Sequence, residues 1–168
     1  MLTPNATCLL VGSHSKPHPS PQAYFISKNF ALAAKRYGEA LEYSEELETA
    51  AGKELTATLA LNQAMAYVKA SGNDKNAIAS ATRVIDQPDD AVEGAVVKAY
   101  YWRATAYFNL GEYAQCKKDC VAAAKIDKSN KSVRKLYKKA MKAAKSSKAQ
   151  VKKLYKGAFN KVHASIST

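Results

Sequence analysis

The sequence reads as an all-α protein: a helical-hairpin repeat array of three pairs, closed by a long C-terminal capping helix. Three observations carry this reading. Four of the five prolines precede Gln22 and only Pro88 follows, so most of the 168-residue chain is nearly free of helix breakers. Ala, Lys, Glu and Leu dominate that stretch, and all four are strong helix formers. Small and aromatic residues also recur at a long fixed period, which marks stacked repeats, while no β-branched run alternates as a strand would.

Residues 1–19, rich in Ser, Pro and His, read as an unstructured leader. Ser20-Pro21 then offers an N-cap followed by proline in the first helical turn, which starts a short helix from Gln22 to Ser27. Asn29 breaks it. A second helix runs from Phe30 to Leu47, with Phe30, Ala33, Ala34, Tyr37, Ala40 and Leu41 at three- and four-residue steps. Ala51-Gly52 reads as the next turn. A third helix covers Glu54 to Ala70, and Ser71-Gly72-Asn73-Asp74 is a plain turn cluster. A fourth runs from Lys75 to Ile85 and is broken by Gln87-Pro88-Asp89-Asp90. A fifth spans Val92 to Leu110, ended by Gly111 at the usual C-terminal position. A sixth covers Glu112 to Ile126. Ser129-Asn130 caps a last helix that reaches Lys161. The chain thus divides into the leader, three helix pairs over 20–128, a basic capping helix over 129–164 and a tail over 165–168.

The pairs share a pattern. Ala64-x-Ala66-Tyr67 recurs 40 positions on as Ala104-x-Ala106-Tyr107, followed by Gly111, Tyr113, Cys116 and Cys120, and the first pair carries Phe30, Ala33, Tyr37, Ala40 and Leu41. Small residues let two helices approach closely and aromatics fill the gaps between pairs. A single pair is too small to bury its own face, so the pairs stack. This pattern resembles the tetratricopeptide repeat.

Two stretches narrow the resemblance. Leu61-Asn62-Gln63-Ala64-Met65-Ala66-Tyr67-Val68-Lys69 resembles the second repeat of tetratricopeptide co-chaperones, the large FKBP-type immunophilins in particular. Lys152-Lys153-Leu154-Tyr155-Lys156-Gly157-Ala158-Phe159 is similar to the end of their C-terminal helix. The resemblance implies a concave groove that docks the acidic Glu-Glu-Val-Asp C-terminus of a chaperone of the heat-shock protein 90 or 70 class. In the family, two lysines, two asparagines and one arginine grip the terminal carboxylates. Carried over, Asn62 and Lys98 stand on clamp positions. The clamp arginine falls on Trp102, with Arg103 next door but rotated about 100° around the helix. The two positions of the first repeat fall on His18 and Gln22. The resemblance therefore implies a co-chaperone adaptor. Its alternatives are a scaffold for another peptide with a decayed clamp, or the non-catalytic part of an FKBP-type peptidyl-prolyl isomerase.

Charge is unevenly distributed. From Lys125 onward lie 14 of the 26 Lys and Arg residues and only one of the 14 acids, Asp127, so a near-neutral body precedes a basic end. Lys135-Leu136-Tyr137-Lys138-Lys139 and Lys153-Leu154-Tyr155-Lys156-Gly157 lie 18 residues apart, five helical turns, and so share a face. Val133, Leu136, Ala140, Ala144, Ser147, Val151, Leu154 and Ala158 form the apolar stripe. Up to Ala144 this reads as a cap on the last repeat. Thirty residues of helix span about 45 Å against about 30 Å for a small domain, so the end from Lys148 to Lys161 is expected to project. Lys152, Lys153, Leu154, Tyr155 and Phe159 would then face a partner. A basic amphipathic helix suits an acidic partner, and the family resemblance adds calmodulin. The lysines lack a nucleic-acid reader motif, so nucleic acid is not expected as a partner.

Catalysis is not expected either. His14, His18 and His163 lie near the ends, none beside a nucleophile, and the chain has no phosphate-binding glycine loop or metal-ligand cluster. No cofactor is implied. Cys8, Cys116 and Cys120 lack disulfide-framework spacing, and the pair four residues apart reads as small apolar contacts. Glu45, Glu46 and Glu48 read as a solvent-exposed acidic patch. With no signal peptide and no apolar run of membrane-spanning length, the expected compartment is the cytosol or nucleus.

Overall fold

The computed structural model describes the backbone of residues 19–166 and the side chains of residues 19–156. His18, Cys8 and the side chain of Phe159 lie outside those described residues. Among the described residues seven α-helices follow one another: α1 (Pro21–Ile26), α2 (Phe30–Glu45), α3 (Ala50–Ala70), α4 (Asp74–Asp86), α5 (Ala95–Asn109), α6 (Tyr113–Ile126) and α7 (Lys131–Ile166). A 3-10 turn, Pro88–Asp90, lies between α4 and α5, and the described residues form no strand.

Local chemistry sets the helix ends. Side chains of Ser20, Asn29, Thr49 and Asn130 accept hydrogen bonds from the backbone N–H three residues on, at 3.1–3.3 Å, which satisfies otherwise orphaned first-turn donors. Gly111, at φ 78°, closes α5: its own N–H bonds to Phe108 and that of Glu112 to Tyr107, the paired bonds that terminate helices in a left-handed residue. Several boundaries differ from the sequence reading: α2 stops at Glu45 rather than Leu47, α7 runs to Ile166 rather than Lys161, and two more differ for reasons the backbone shows. Gly52 is no turn residue but sits buried in the first turn of α3, capped by Thr49. A Cβ there would lie 2.3 Å from the Leu47 carbonyl oxygen, so glycine is what allows the α2–α3 connection to fold back this tightly. At the other site α5 begins at Ala95 rather than Val92, because Gly94 takes a left-handed φ of 74° just before it.

Each helix packs against the next, α3 also against α5, and α5 also against α7. Connections are too short for anything but antiparallel neighbours. α3 and α5, which touch directly, therefore form one layer, the inner, and α2, α4 and α6, which make no comparable contact with one another, form the outer. The recurring alanines are the packing device: Ala64, Ala66, Ala104 and Ala106 are all fully buried. Tyr37, Leu41, Leu59, Leu61 and Val84 fill one core cluster. Val97, Cys116, Cys120, Val133, Leu136 and Ala140 fill a second, beneath α7.

Polar contacts between helices place the two edges of the array. At one edge Arg83, near the end of α4, pairs with Glu45 at the end of α2. At the opposite edge Asn109, at the end of α5, donates a 2.8 Å hydrogen bond to Asp74 at the start of α4. Between them, the Gln63 amide donates to the Ala34 carbonyl and accepts from the Ser80 hydroxyl, tying α2, α3 and α4 together. α7 starts at the first edge and runs past the second. Val133, Leu136 and Ala140 are buried and Ala143 and Ala144 half-buried, but every described residue from Lys145 to Lys156 is exposed.

Candidate functional site

Three of the residues singled out from sequence stand on the two helices of the inner layer. Asn62 stands on α3, and Lys98 and Trp102 on α5, the helix in direct contact with α3. Lys98 and Trp102 are four apart and so share a helix face. Lys98 is exposed and takes part in none of the ion pairs among the described residues. Asn62 is half-buried. Trp102 is half-buried too, packed against the first core cluster with its ring edge-on to Tyr101 at 5.1 Å. The wall next to Lys98 is thus aromatic.

Gln22 is exposed on α1, which packs on α2 and does not extend the α3–α5 wall by direct packing. The helix that carries it is only six residues long, held by the Ser20 cap and by Pro21, whose missing N–H costs nothing in a first turn.

Arg103 is not available to a ligand carboxylate, in contrast to the sequence expectation. Its Nε and one terminal nitrogen each donate at 2.8 Å to the two carboxylate oxygens of Asp119, and its other terminal nitrogen donates at 3.0 Å to the Thr82 hydroxyl. Its guanidinium also lies 5.5 Å from the Tyr100 ring centroid. Those hydrogen-bond partners belong to α4 and α6, so the guanidinium points to the outer layer. The Asp119 carboxylate holds its pKa above the ordinary value. The 100° rotation between Trp102 and Arg103 places one on each side of α5.

Of the tail residues, Lys152, Lys153, Leu154 and Tyr155 are exposed, Leu154 at 73% and Tyr155 at 75%. Cys116 and Cys120 are buried free thiols. The neighbouring Cys116 thiol and burial push the Cys120 thiol far up and keep it protonated. Among the described residues, no group of three His, Cys, Asp or Glu side chains is placed to hold a metal ion, and no helix is long and apolar enough to cross a membrane. No protein-family model matches the chain.

Sequence reasoning missed one feature of this surface. A cleft of about 430 Å³ opens at the first edge, between the α2–α3 turn and the α4–α5 connection, lined by Glu48, Glu54, Asp89, Asp90 and Glu93 with Lys53. Glu45–Glu48 was legible as an acidic patch. Its union with Asp89–Glu93 depends on the two connections lying at one edge, which only the antiparallel packing decides.

Proposed function

We propose that the chain is a tetratricopeptide-type adaptor whose inner layer docks the acidic C-terminal peptide of a heat-shock chaperone, as a co-chaperone does. The observation that carries the reading is Lys98: an exposed cation that forms no ion pair among the described residues, on the inner-layer helix that packs against the one carrying Asn62. A lysine can bind a terminal carboxylate through a charge-assisted hydrogen bond, and an asparagine amide can donate a second. The test is calorimetric titration with a Glu-Glu-Val-Asp peptide, comparing the unaltered chain with Lys98→Ala. Equal affinity for the two would end this reading.

A second reading follows from Trp102. An aromatic side chain where the resemblance calls for arginine removes a bidentate carboxylate partner and adds apolar surface. This favours a peptide with an apolar or aromatic residue near its C-terminus. The same titration with such a peptide separates the two readings, since only the first gives the acidic peptide the advantage.

A further inference from the structure

The last described turns of α7 and the edge cleft are complementary in charge and in exposed apolar surface. On α7, Val151, Leu154 and Tyr155 are three and four apart and form one face, exposed by 47%, 73% and 75%. Lys145, Lys148, Lys152 and Lys156 run along one flank of that face, and no acid lies anywhere in this stretch. Exposed apolar side chains clustered on a basic helix need a cover.

The cleft carries the opposite set. Five carboxylates face it against one lysine, Lys53, and none of these six side chains forms an ion pair among the described residues. Val92 stands exposed in its lining, at 41%, and Leu47, exposed by 49%, lies in the adjoining hollow that shares Glu48, Lys53 and Asp90 with it. Favourable placement at the N-termini of α3 and α5 accounts for some of the acids. It does not account for the exposed apolar side chains of Val92 in the cleft and Leu47 beside it.

The two surfaces lie at opposite edges of the array. α7 begins at the edge where α3 and α5 begin, which is the edge of the cleft, and its exposed end points out beyond the other. A helix cannot fold back on itself, so the tail does not reach the cleft of its own chain.

We infer that the projecting end of α7 docks in the acidic edge cleft of a second copy of this chain. Leu154 and Tyr155 would lie against Leu47 and Val92, and the lysine flank against Glu48, Asp90 and Glu93. Such a contact joins two different surfaces. It is heterologous and leaves one free tail and one free cleft on every dimer, so it propagates into longer head-to-tail species. Because the charges lie at the surface, salt screens them and dissociates the species.

Sedimentation velocity on the full chain tests this. At low ionic strength the weight-average mass should rise with concentration past that of a dimer, and at about 1 M salt, where the screening length is about 3 Å, it should return to the monomer. Two full-length variants sharpen the test. In the first, Lys152→Gln, Lys153→Gln, Lys156→Gln and Leu154→Ser are combined. In the second, Glu48→Lys, Asp90→Lys and Glu93→Lys are combined. Each alone should be monomeric. Mixed in equal amounts they should form a 1:1 pair that does not grow, because one contributes only a cleft and the other only a tail. A monomer at every concentration and salt overturns the inference, and so does a cleft variant that still assembles. A monomeric chain captured by calmodulin in calcium, with the tail variant losing capture and the cleft variant keeping it, would assign the tail to an acidic partner protein instead. The peptide titration of the inner layer is independent of every one of these outcomes.

Discussion

Arg103 and Asp119 form a two-pronged ion pair at 2.8 Å with side chains only 17% and 8% exposed, binding the two helices of the third pair. Thr82 takes a third donor of the same guanidinium and draws in α4 from the second pair. One side chain thus spans the junction of two repeats. Removing one partner leaves the other charge without its counterion in a poorly hydrated place. Asp119→Ala should therefore destabilise the chain by about 3 kcal/mol, measured by urea denaturation. Replacing the pair together, Arg103→Met with Asp119→Leu, should cost less than Asp119→Ala alone, because no uncompensated charge remains.

Binding on the inner layer depends on different groups. Lys98→Ala should weaken a Glu-Glu-Val-Asp peptide by about 1.5–3 kcal/mol, the usual worth of a hydrogen bond to a charged group. Arg103→Lys should leave that affinity unchanged, because the guanidinium is committed to the outer layer. Calorimetry on both variants separates the two arginine assignments that adjacency in sequence left side by side. An affinity loss in Arg103→Lys comparable to that in Lys98→Ala would place Arg103 in the groove after all.

The helices were legible because their signals are local. Ser20-Pro21, Asn29 and Asn130 cap where their residue types suggest, and Ala64, Ala66, Ala104 and Ala106 are buried as the repeat period requires. The first turn of α3 was not legible, because Gly52 carries the signature of a turn and its real role depends on where Leu47 comes to rest. Lys98 was singled out by the family resemblance, not by any spacing, and the structure shows it exposed on α5. The capture of Arg103 was not legible, because Asp119 lies on the next helix and its burial is a property of the packed pair. The edge cleft draws on residues from two connections far apart in sequence, and no one-dimensional pattern marks that.

Gly52→Ala separates propensity from fit. In an open helix the change should stabilise by about 1 kcal/mol. Here the added methyl would meet the Leu47 carbonyl oxygen at 2.3 Å and the Leu47 Cβ at 2.5 Å, and backbone cannot step aside as a flexible side chain can. The expected outcome is a net loss of about 1–3 kcal/mol, seen as a lower midpoint in thermal unfolding. A raised midpoint would show that the α2–α3 turn relaxes freely.

Tyr37 sets an alkaline limit. It is 4% exposed in the first core cluster, and burial raises its pKa above the ordinary 10.0. An acid whose folded pKa is raised is stabilised in its neutral form. Its contribution is complete below pH 10 and is lost as pH climbs toward the folded value, because the unfolded chain ionises first. Stability measured by urea titration should fall above about pH 10, and Tyr37→Phe should make that fall shallower while leaving the profile below pH 9 parallel to the original. A fall of equal slope in both would locate the alkaline sensitivity elsewhere.

The split within α7 makes two stability predictions of opposite kind on one helix. Leu136 is buried under the second core cluster, and Leu136→Ala should cost about 2–5 kcal/mol through the lost apolar contact and the cavity left behind. Leu154 lies on the same stripe 18 residues later, yet it is 73% exposed. Leu154→Ala should change the free energy of unfolding by less than about 0.5 kcal/mol, as a surface substitution does. The comparison is made below the concentration at which the chain self-associates, so that only folding is read. Amide hydrogen exchange adds a residue-level check. Protection should be high through Ala140, fall across Ala143 and Ala144, and be low from Lys145 onward, because a helix without tertiary contacts opens by fraying rather than with the core. High protection at Lys152–Lys156 in the dilute monomer would mean that the end of α7 folds onto its own chain, and the apolar face of Val151, Leu154 and Tyr155 would then already be covered.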